Sequence, residues 1–504
     1  MNDAYDVLII GAGLSGIGMA CHLQRECPGK RFAILERRHA IGGTWDLFRY
    51  PGIRSDSDML TFGYEFRPWY ELKVLADGES IRNYVRDTAR EYGVDSKIQY
   101  GLKITAADWS SSDALWTVTA LEEASGTEQQ FKTRVLVSCT GYYNYDQGYL
   151  PDFPGAERFK GVKIHPQFWP EKLDYRGKKV VIIGSGATAV TLVPAMAGTA
   201  SHVTMLQRSP SYVFSVPAVD KLTGVMNRLL PKSWVYKLSR TRNIRLQRTL
   251  YKAAKRYPNQ VRKFLLANVE RQLGDKADMR HFTPSYKPWD ERLCAVPNGD
   301  LFKAIRSGQA EVVTDHIASF TETGIQLKSG QHLDADIIIT ATGLSLQVFG
   351  GIQVSVDGVA RSSGELMTYK GALMQDLPNL GWIMGYTNAS WTLKADIASR
   401  YLCRVIQHLD KTGSASFVAH APDGEKLDES ILGSLGSGYI QRAASTLPRQ
   451  GRKLPWRVLN AYEVDKPMLT EAPIEDEYLQ FLPPPKAGSK GKRGKKAGEM
   501  SAAA

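Results

Sequence analysis

The hydrophobic pattern opens with a short unbroken apolar run, residues 5–10, and changes within a few residues to helical spacing. A run of this length predicts a strand buried on both faces of a parallel sheet. A glycine-rich turn, Gly11-Ala12-Gly13-Leu14-Ser15-Gly16, leads into a helix expected to reach about Cys27. A second strand is expected over 31–35. An amphipathic helix follows over 79–93, with Ile81, Tyr84, Val85, Thr88, Ala89 and Tyr92 at core-facing spacing. Alternation then predicts strands over 102–107, 116–121 and 130–137, the last running into Cys139-Thr140-Gly141.

The series starts again at 179. A strand over 179–183 meets the turn Gly184-Ser185-Gly186-Ala187-Thr188-Ala189, a helix to about Gly198, and a strand over 202–206. Strands over 312–314, 317–321, 325–327 and 335–340 end in Ala341-Thr342-Gly343. Residues 5–141 and 179–343 thus form a pseudo-repeat. It predicts an α/β fold with two dinucleotide-binding, Rossmann-like domains. The cluster Tyr142, Tyr143, Asn144, Tyr145 begins a linker between them, extended by Pro151 and Pro154. A mostly helical insertion, roughly 215–290, interrupts the second copy. The Pro-, Gly-, Lys- and Ala-rich residues 483–504 predict a disordered basic tail.

The turns carry the first chemistry. A lone G-x-G-x-x-G is weak, but here it lies between strand and helix, with Glu36 twenty residues beyond Gly16. Gly11, Gly13 and Gly16 admit a pyrophosphate to the helix N-terminus, where unpaired N–H groups and the helix dipole favour anions. Glu36 would accept hydrogen bonds from ribose hydroxyls and repel a 2′-phosphate, so this site suits FAD or NAD. In the second copy the acid is replaced by Gln207-Arg208-Ser209. Arg208 suits a 2′-phosphate, which points to NADP; the plainer alternative is a solvated surface arginine.

Composition narrows the field. The chain of 504 residues has ample length for several domains, and 43% hydrophobic with 23% charged residues is ordinary for a soluble globular protein. The net charge of +12 falls to about +7 without the tail, a modest excess that suits anionic ligands. Nucleic-acid binding is not expected. Cys21, Cys27, Cys139, Cys294 and Cys403 are scattered and form no C-x-x-C, which excludes a disulfide framework, a zinc ribbon and a dithiol reductase. No metal site is expected. A reducing cytoplasm fits, and no stretch is apolar enough to span a membrane. Residues 237–263 hold ten basic residues and no acid. They read either as a solvated cap over a substrate cleft or as a membrane-surface helix.

The most informative stretch is the loop 42–56, Gly42-Gly43-Thr44-Trp45-Asp46-Leu47-Phe48-Arg49-Tyr50-Pro51-Gly52-Ile53-Arg54-Ser55-Asp56. Gly42-Gly43 allows close backbone approach, and Tyr50-Pro51-Gly52 imposes a turn. A surface loop is the bland reading. The sharper one is a loop laid along a flat cofactor ring, with Arg54 and Asp56 aimed at it.

This loop resembles the fingerprint of type I Baeyer–Villiger monooxygenases, with every fixed position present through Asp56. A second fingerprint of that family is matched by Phe159, Gly161, His165, Trp169, Pro170 and Glu171. To about residue 460 the chain is similar to the ethionamide-activating branch. The resemblance implies FAD held by Gly11, Gly13, Ser15, Gly16, Glu36, Gly43, Thr44, Trp45, Asp46, Leu47, Asp56 and Ile104. It implies NADPH held by Arg54, Ser55, Asp56, Gly184, Ser185, Gly186, Ala187, Thr188, Ala189, Gln207 and Arg208. It assigns residues 1–145 and 345–482 to the FAD-binding domain and 146–344 to the NADP-binding domain, and it places 387–396 near the flavin.

The implied reaction takes O2 and a small ketone to an ester or lactone through a flavin peroxide, with sulfur oxidation of thioamides or sulfides as a second activity. Negative charge on peroxide and adduct calls for a fixed cation. The resemblance assigns this to Arg292, paired with Asp56, and both are the expected catalytic residues. His165 is expected to hold the linker. The rival enzyme reading is a flavin-containing monooxygenase limited to nitrogen or sulfur oxidation. A rival of another class is a peripheral membrane or nucleic-acid-binding protein using 237–263 and the tail. Oligomeric state is not readable.

Overall fold

In the computed structural model, residues 4–291, 293–433 and 436–485 are described. The expected disordered tail lies outside them from residue 486, and so does Arg292. Among the described residues, eleven strands form one mixed sheet and five form a second, all-parallel sheet. In the first, Tyr5–Ile10 lies between Phe32–Leu35 and Thr127–Ser138, parallel to both, with Val7 opposite Phe32 and Val135. Leu8 and Ile9 are fully buried, as a strand covered on both faces requires. Leu102–Ser110, Leu115–Glu122 and Thr127–Ser138 are antiparallel neighbours. Strands beyond residue 345 return to this sheet: Gln353–Val356 pairs with Leu102–Ser110, and Leu380–Trp382 with Thr127–Ser138.

The second sheet runs Ala310–Thr314, His202–Gln207, Lys179–Ile183, Ile337–Thr340, Val162–Ile164. Both copies have the expected strand–turn–helix. Helix α1 (Leu14–Glu26) follows the first turn and α2 (Ala187–Ala197) the second.

Two local expectations change. The aromatic linker forms a strand, Tyr143–Gly148, antiparallel to Leu344–Leu346. Tyrosines favour a pleated surface, and a partner strand was available far along the chain. In the second copy, His332–Asp334 is a strand that its mixed sequence does not signal. It completes a separate three-stranded sheet with Ile317–Phe320 and Gly324–Leu327.

The insertion is helical: α3 (Lys221–Leu229), α4 (Lys232–Arg256) and α5 (Pro258–Leu273). It is bracketed by Val213–Val216 and Cys294–Pro297, which pair in parallel. α4 is tied to the first copy's flank. The buried Arg240 donates to the carbonyls of Leu60 and Gly63 at 2.6 and 2.9 Å, and Asn243 donates to Asp58 at 2.8 Å. A last long helix, α6 (Trp391–Thr412), packs on α1. His22 of α1 reaches Asp396 of α6 at 3.3 Å, and Asp396 also accepts the Glu65 backbone N–H at 2.8 Å.

Candidate active site

A cavity of about 1490 Å³ lies between the first sheet, the 42–56 loop and the helical insertion. Ordinary small-molecule sites run to about 1,000 Å³, so this one has room for more than one ligand. Its lining includes Gly11, Gly13, Ser15, Glu36, Gly43, Thr44, Trp45, Arg54, Ser55, Asp56 and Ile104. Gly16, Asp46 and Leu47 do not line it, and neither do Gly184, Ser185, Gly186, Ala187, Thr188, Ala189, Gln207 or Arg208.

The first turn fits a dinucleotide. A Cβ on Gly11, whose φ is +101°, would lie 2.7 Å from the Cys139 carbonyl oxygen. One on Gly43, at φ +56°, would lie 2.9 Å from the Gly13 Cα. Two glycine backbones therefore meet with no side chain between them. Gly13 caps α1 without a side-chain hydrogen bond, which leaves the helix N-terminus open to an anion. Glu36 is buried, and its two oxygens accept the backbone N–H groups of Ala12 at 2.6 Å and Arg38 at 2.8 Å. Burial pushes its carboxyl pKa up, while these two backbone donors pull the other way. Each oxygen keeps a lone pair for a ribose hydroxyl.

The 42–56 loop spans the two cores. Gly42 to Trp45 run beside the first turn. Leu47, Phe48 and Tyr50 are buried in the hydrophobic cluster of the second sheet. Gly52, at φ +76°, presses on α2: a Cβ there would lie 2.7 Å from the Ala195 Cβ and 3.0 Å from the Thr191 oxygen. The Tyr50 hydroxyl lies close to the Thr188 side chain of the second turn. The loop then returns to the cavity at Arg54, Ser55 and Asp56.

Arg54 is 10% exposed and donates Nη1 to Asp300 at 2.7 Å. Its Nε and Nη2 are buried without a hydrogen-bond partner. Two buried donors left without partners on a residue of the cavity wall are unusual, and a shift of the guanidinium would turn them to the oxygens of an anionic ligand. Asp46 behaves differently. Its carboxylate is buried, bridged to Arg38 at 2.7 Å and to Arg49. It holds the loop's shape and does not face the cavity.

The second turn is more open. Gly184 needs its glycine, because a Cβ at its φ of +144° would lie 2.3 Å from the Ala341 oxygen. A Cβ on Gly186 would meet nothing within 4 Å. Gly186 caps α2 with no side-chain hydrogen bond, again leaving a free helix N-terminus. Arg208 is exposed. Gln207 is buried, and its amide donates to the His281 carbonyl at 2.7 Å and Thr314 at 2.9 Å, so the side chain is committed to the core. His165 accepts the Gln167 backbone N–H, and its Nε2 sits 3.2 Å from the Gly343 carbonyl. Burial lowers its pKa.

The segment 387–396, expected near the flavin, contributes Thr387, Asn388, Ala389 and Trp391 to the wall. Trp391, at the start of α6, stacks on Tyr142 with ring centres 5.3 Å apart and donates Nε1 to Ser15 Oγ at 2.8 Å. Asn388 lines the cavity with its Oδ1 buried and unpartnered. Tyr386, also on the wall, donates to the buried Asp465 at 2.8 Å, and Asp465 pairs with Lys394 at 3.0 Å. Trp289 and Leu293, which flank Arg292 in sequence, line the cavity.

One dinucleotide-type turn on the wall of a large cavity and a second outside that wall, joined by the 42–56 loop, follow the plan of a flavoprotein oxidoreductase with two nucleotide sites. The sequence profile of the flavin-binding monooxygenase-like (FMO-like) family matches residues 4–427, and the chain belongs to that family of enzymes. It is 60% identical over 485 residues to MymA of Mycobacterium tuberculosis, whose name assigns it provisionally as an FAD-containing monooxygenase; the match covers 95% of this chain and 98% of that one. It is 50% identical over 483 residues to the FAD-containing monooxygenase EthA of Mycolicibacterium smegmatis, covering 95% and 98%. Among solved structures, an oxidized steroid monooxygenase bound to NADP superposes with a TM-score of 0.76 at 22% identity, covering 95% of this chain and 100% of that one. An open cyclohexanone monooxygenase gives 0.71 at 19%, covering 93% and 98%. At such identities the structural likeness speaks for the fold.

Proposed function

We propose that the protein is an FAD- and NADPH-dependent Baeyer–Villiger monooxygenase. It inserts one oxygen atom of O2 beside a ketone carbonyl to give an ester or lactone, and it also oxidises sulfur in thioamides or sulfides. The observation that carries this reading is the course of the 42–56 loop. Its fingerprint glycines line the cavity at one end, Arg54 and Asp56 line it at the other, and its middle is anchored in the second core. FAD, when bound, supplies the redox chemistry, accepting hydride from NADPH and activating O2.

The chain's own residues bind and orient. Gly11, Gly13, Glu36, Gly43 and Trp45 hold FAD on residues 1–145 and 345–482. Gly184, Gly186 and the open N-terminus of α2 take the NADPH pyrophosphate on residues 146–344, and Arg208 takes its 2′-phosphate. Arg54, on the cavity wall, keeps two buried donors without partners, which a shift of its guanidinium would turn to an anionic ligand. Arg292, which lies outside the described residues, is assigned by resemblance as the cation beside the reacting oxygen. An arginine keeps its charge at any working pH.

The test is product analysis with NADPH, O2 and a simple ketone. Ester or lactone supports the reading. Turnover of amines and sulfides alone, with no ester from any ketone, replaces it with a monooxygenase limited to nitrogen and sulfur. Arg292→Ala separates the steps. Ester should fall by about 100-fold or more, the usual cost of losing an oxyanion-type donor, while NADPH consumption continues and hydrogen peroxide is released. Ester formation near the unmutated rate would remove Arg292 from the mechanism.

A further inference from the structure

Helix α6 starts on the cavity wall with Trp391. Its ring is held in place by its neighbours. Tyr142 stacks on it at 5.3 Å, with 14° between the ring planes. Gly385 leaves it room: a Cβ there would lie 2.2 Å from Trp391 Cδ2 and 2.4 Å from Cγ. Close packing of this kind fixes the orientation of a ring. The edge so fixed carries Nε1–H, which donates to Ser15 Oγ at 2.8 Å.

That bond decides where the Ser15 proton goes. An indole N–H only donates, so the hydroxyl oxygen is the acceptor. The hydroxyl keeps its one proton, and a lone pair is occupied. A serine in a helix often turns this proton back to a carbonyl of the preceding turn. Among the described residues, Trp391 is the only hydrogen-bond partner of Ser15 Oγ. The proton is therefore left for a ligand. Ser15 lines the cavity, and it is the second residue of α1, beside the N–H groups that a helix cannot pair in its first turn.

We propose that Trp391 is a positioning residue for FAD: it holds the Ser15 hydroxyl as a donor to the pyrophosphate. A hydroxyl free to rotate must be ordered when an anion arrives, whereas one already held by an indole N–H loses less freedom on binding. The inference rests on the reading of the first turn as the FAD site. It adds a contribution that the turn cannot make by itself, because the residue setting the donor lies 376 positions further along the chain. Retention of the flavin then depends on the segment that returns to the first sheet as well as on the glycines.

The experiment dilutes purified holoenzyme serially and reads released FAD by its fluorescence. It compares the unmutated protein with Ser15→Ala, Trp391→Phe and the double variant. Ser15→Ala removes a donor to a charged group and should weaken FAD binding by about tenfold or more. Trp391→Phe keeps an aromatic ring against Tyr142, loses the N–H and should weaken binding by about fivefold. The double variant should stay within about twofold of Ser15→Ala, because the indole N–H acts only through the hydroxyl. A Trp391 that merely fills space would add its own loss to that of Ser15→Ala, and such additivity overturns the proposal. A Trp391→Phe protein that holds FAD as tightly as the unmutated one also overturns it. If Trp391→Phe does not fold, 3-benzothienylalanine at position 391 replaces the ring N–H by sulfur with the shape kept, and the same two outcomes decide. An unmutated protein that purifies without flavin and takes up none from added FAD removes the reading of the first turn itself, and the role of Trp391 falls with it.

Discussion

The two dinucleotide turns share a plan and differ in cover. The first has a glycine in its third position, and a Cβ on Gly16 would lie 1.8 Å from the Gly11 oxygen. The second has Ala189 there, fully buried. The first ends in the buried Glu36 on the cavity wall, the second in the exposed Arg208. Gly13 backs onto Gly43, whereas Gly186 faces open space. The contrast teaches a division of labour. A turn roofed by another loop suits a resident cofactor, and an open turn suits a nucleotide that binds and leaves with each cycle.

The sharpest way to break the comparison is to add the same methyl group to each turn. Gly16→Ala should destabilise by about 3 kcal/mol, the cost of overpacking a tight contact, and should lose bound flavin. Gly186→Ala should stay within about 0.5 kcal/mol and keep its flavin. Thermal melting followed by flavin fluorescence reads both, and equal losses would erase the distinction. Next in size, Glu36→Arg replaces a ribose acceptor with a buried cation and should weaken FAD retention by about 100-fold. A variant that purifies fully yellow would take Glu36 out of the site.

Arg208→Ala probes the open turn. A charge-assisted contact at an exposed position is screened by solvent, so the preference for NADPH over NADH should fall by about tenfold, through KM for NADPH with kcat unchanged. Equal use of both nicotinamides by the unmutated enzyme would refute the assignment.

The smallest effect concerns pH. Burial works against a charge on His22 of α1, but hydrogen bonds to Asp396 and Glu26 outweigh it and raise the pKa above its ordinary value. The stability it contributes is therefore fully present below about 6.5 and lost as pH rises through the folded value. His22→Gln should cost about 1 kcal/mol near pH 6 and less near pH 9. Helix α2 has no titratable residue, so the second copy has no counterpart of this helix-borne dependence. A deficit independent of pH would contradict it.

Much of the fold was legible because it is written locally. Val7 to Ile10 can only be a strand buried on both faces, and Gly11 and Gly184 occupy backbone conformations that glycine tolerates. What could not be read depends on residues brought together from far along the chain. Tyr143–Gly148 became a strand because Leu344–Leu346 arrived beside it. Gln207 looked available in sequence, but the arrival of His281 and Thr314 turned its amide inward. Asp46 sits in a cofactor fingerprint, yet Arg38 and Arg49 claim its carboxylate. The importance of Arg54 lies in two donors left without partners, which only the packing reveals.

The 42–56 loop is fastened at three points: Gly43 on Gly13, Gly52 on α2, and Arg54 on Asp300. In mechanical terms it is a tie-rod with no slack. A small rotation of the second sheet must appear in the cavity as a displacement of Arg54 and Asp56, because no loose segment absorbs it. A nucleotide whose binding moved the second sheet would therefore move Arg54 and Asp56 as well. The spacing from Trp45 to Gly52 is then as constrained as the residues themselves, since one added residue would release an anchor.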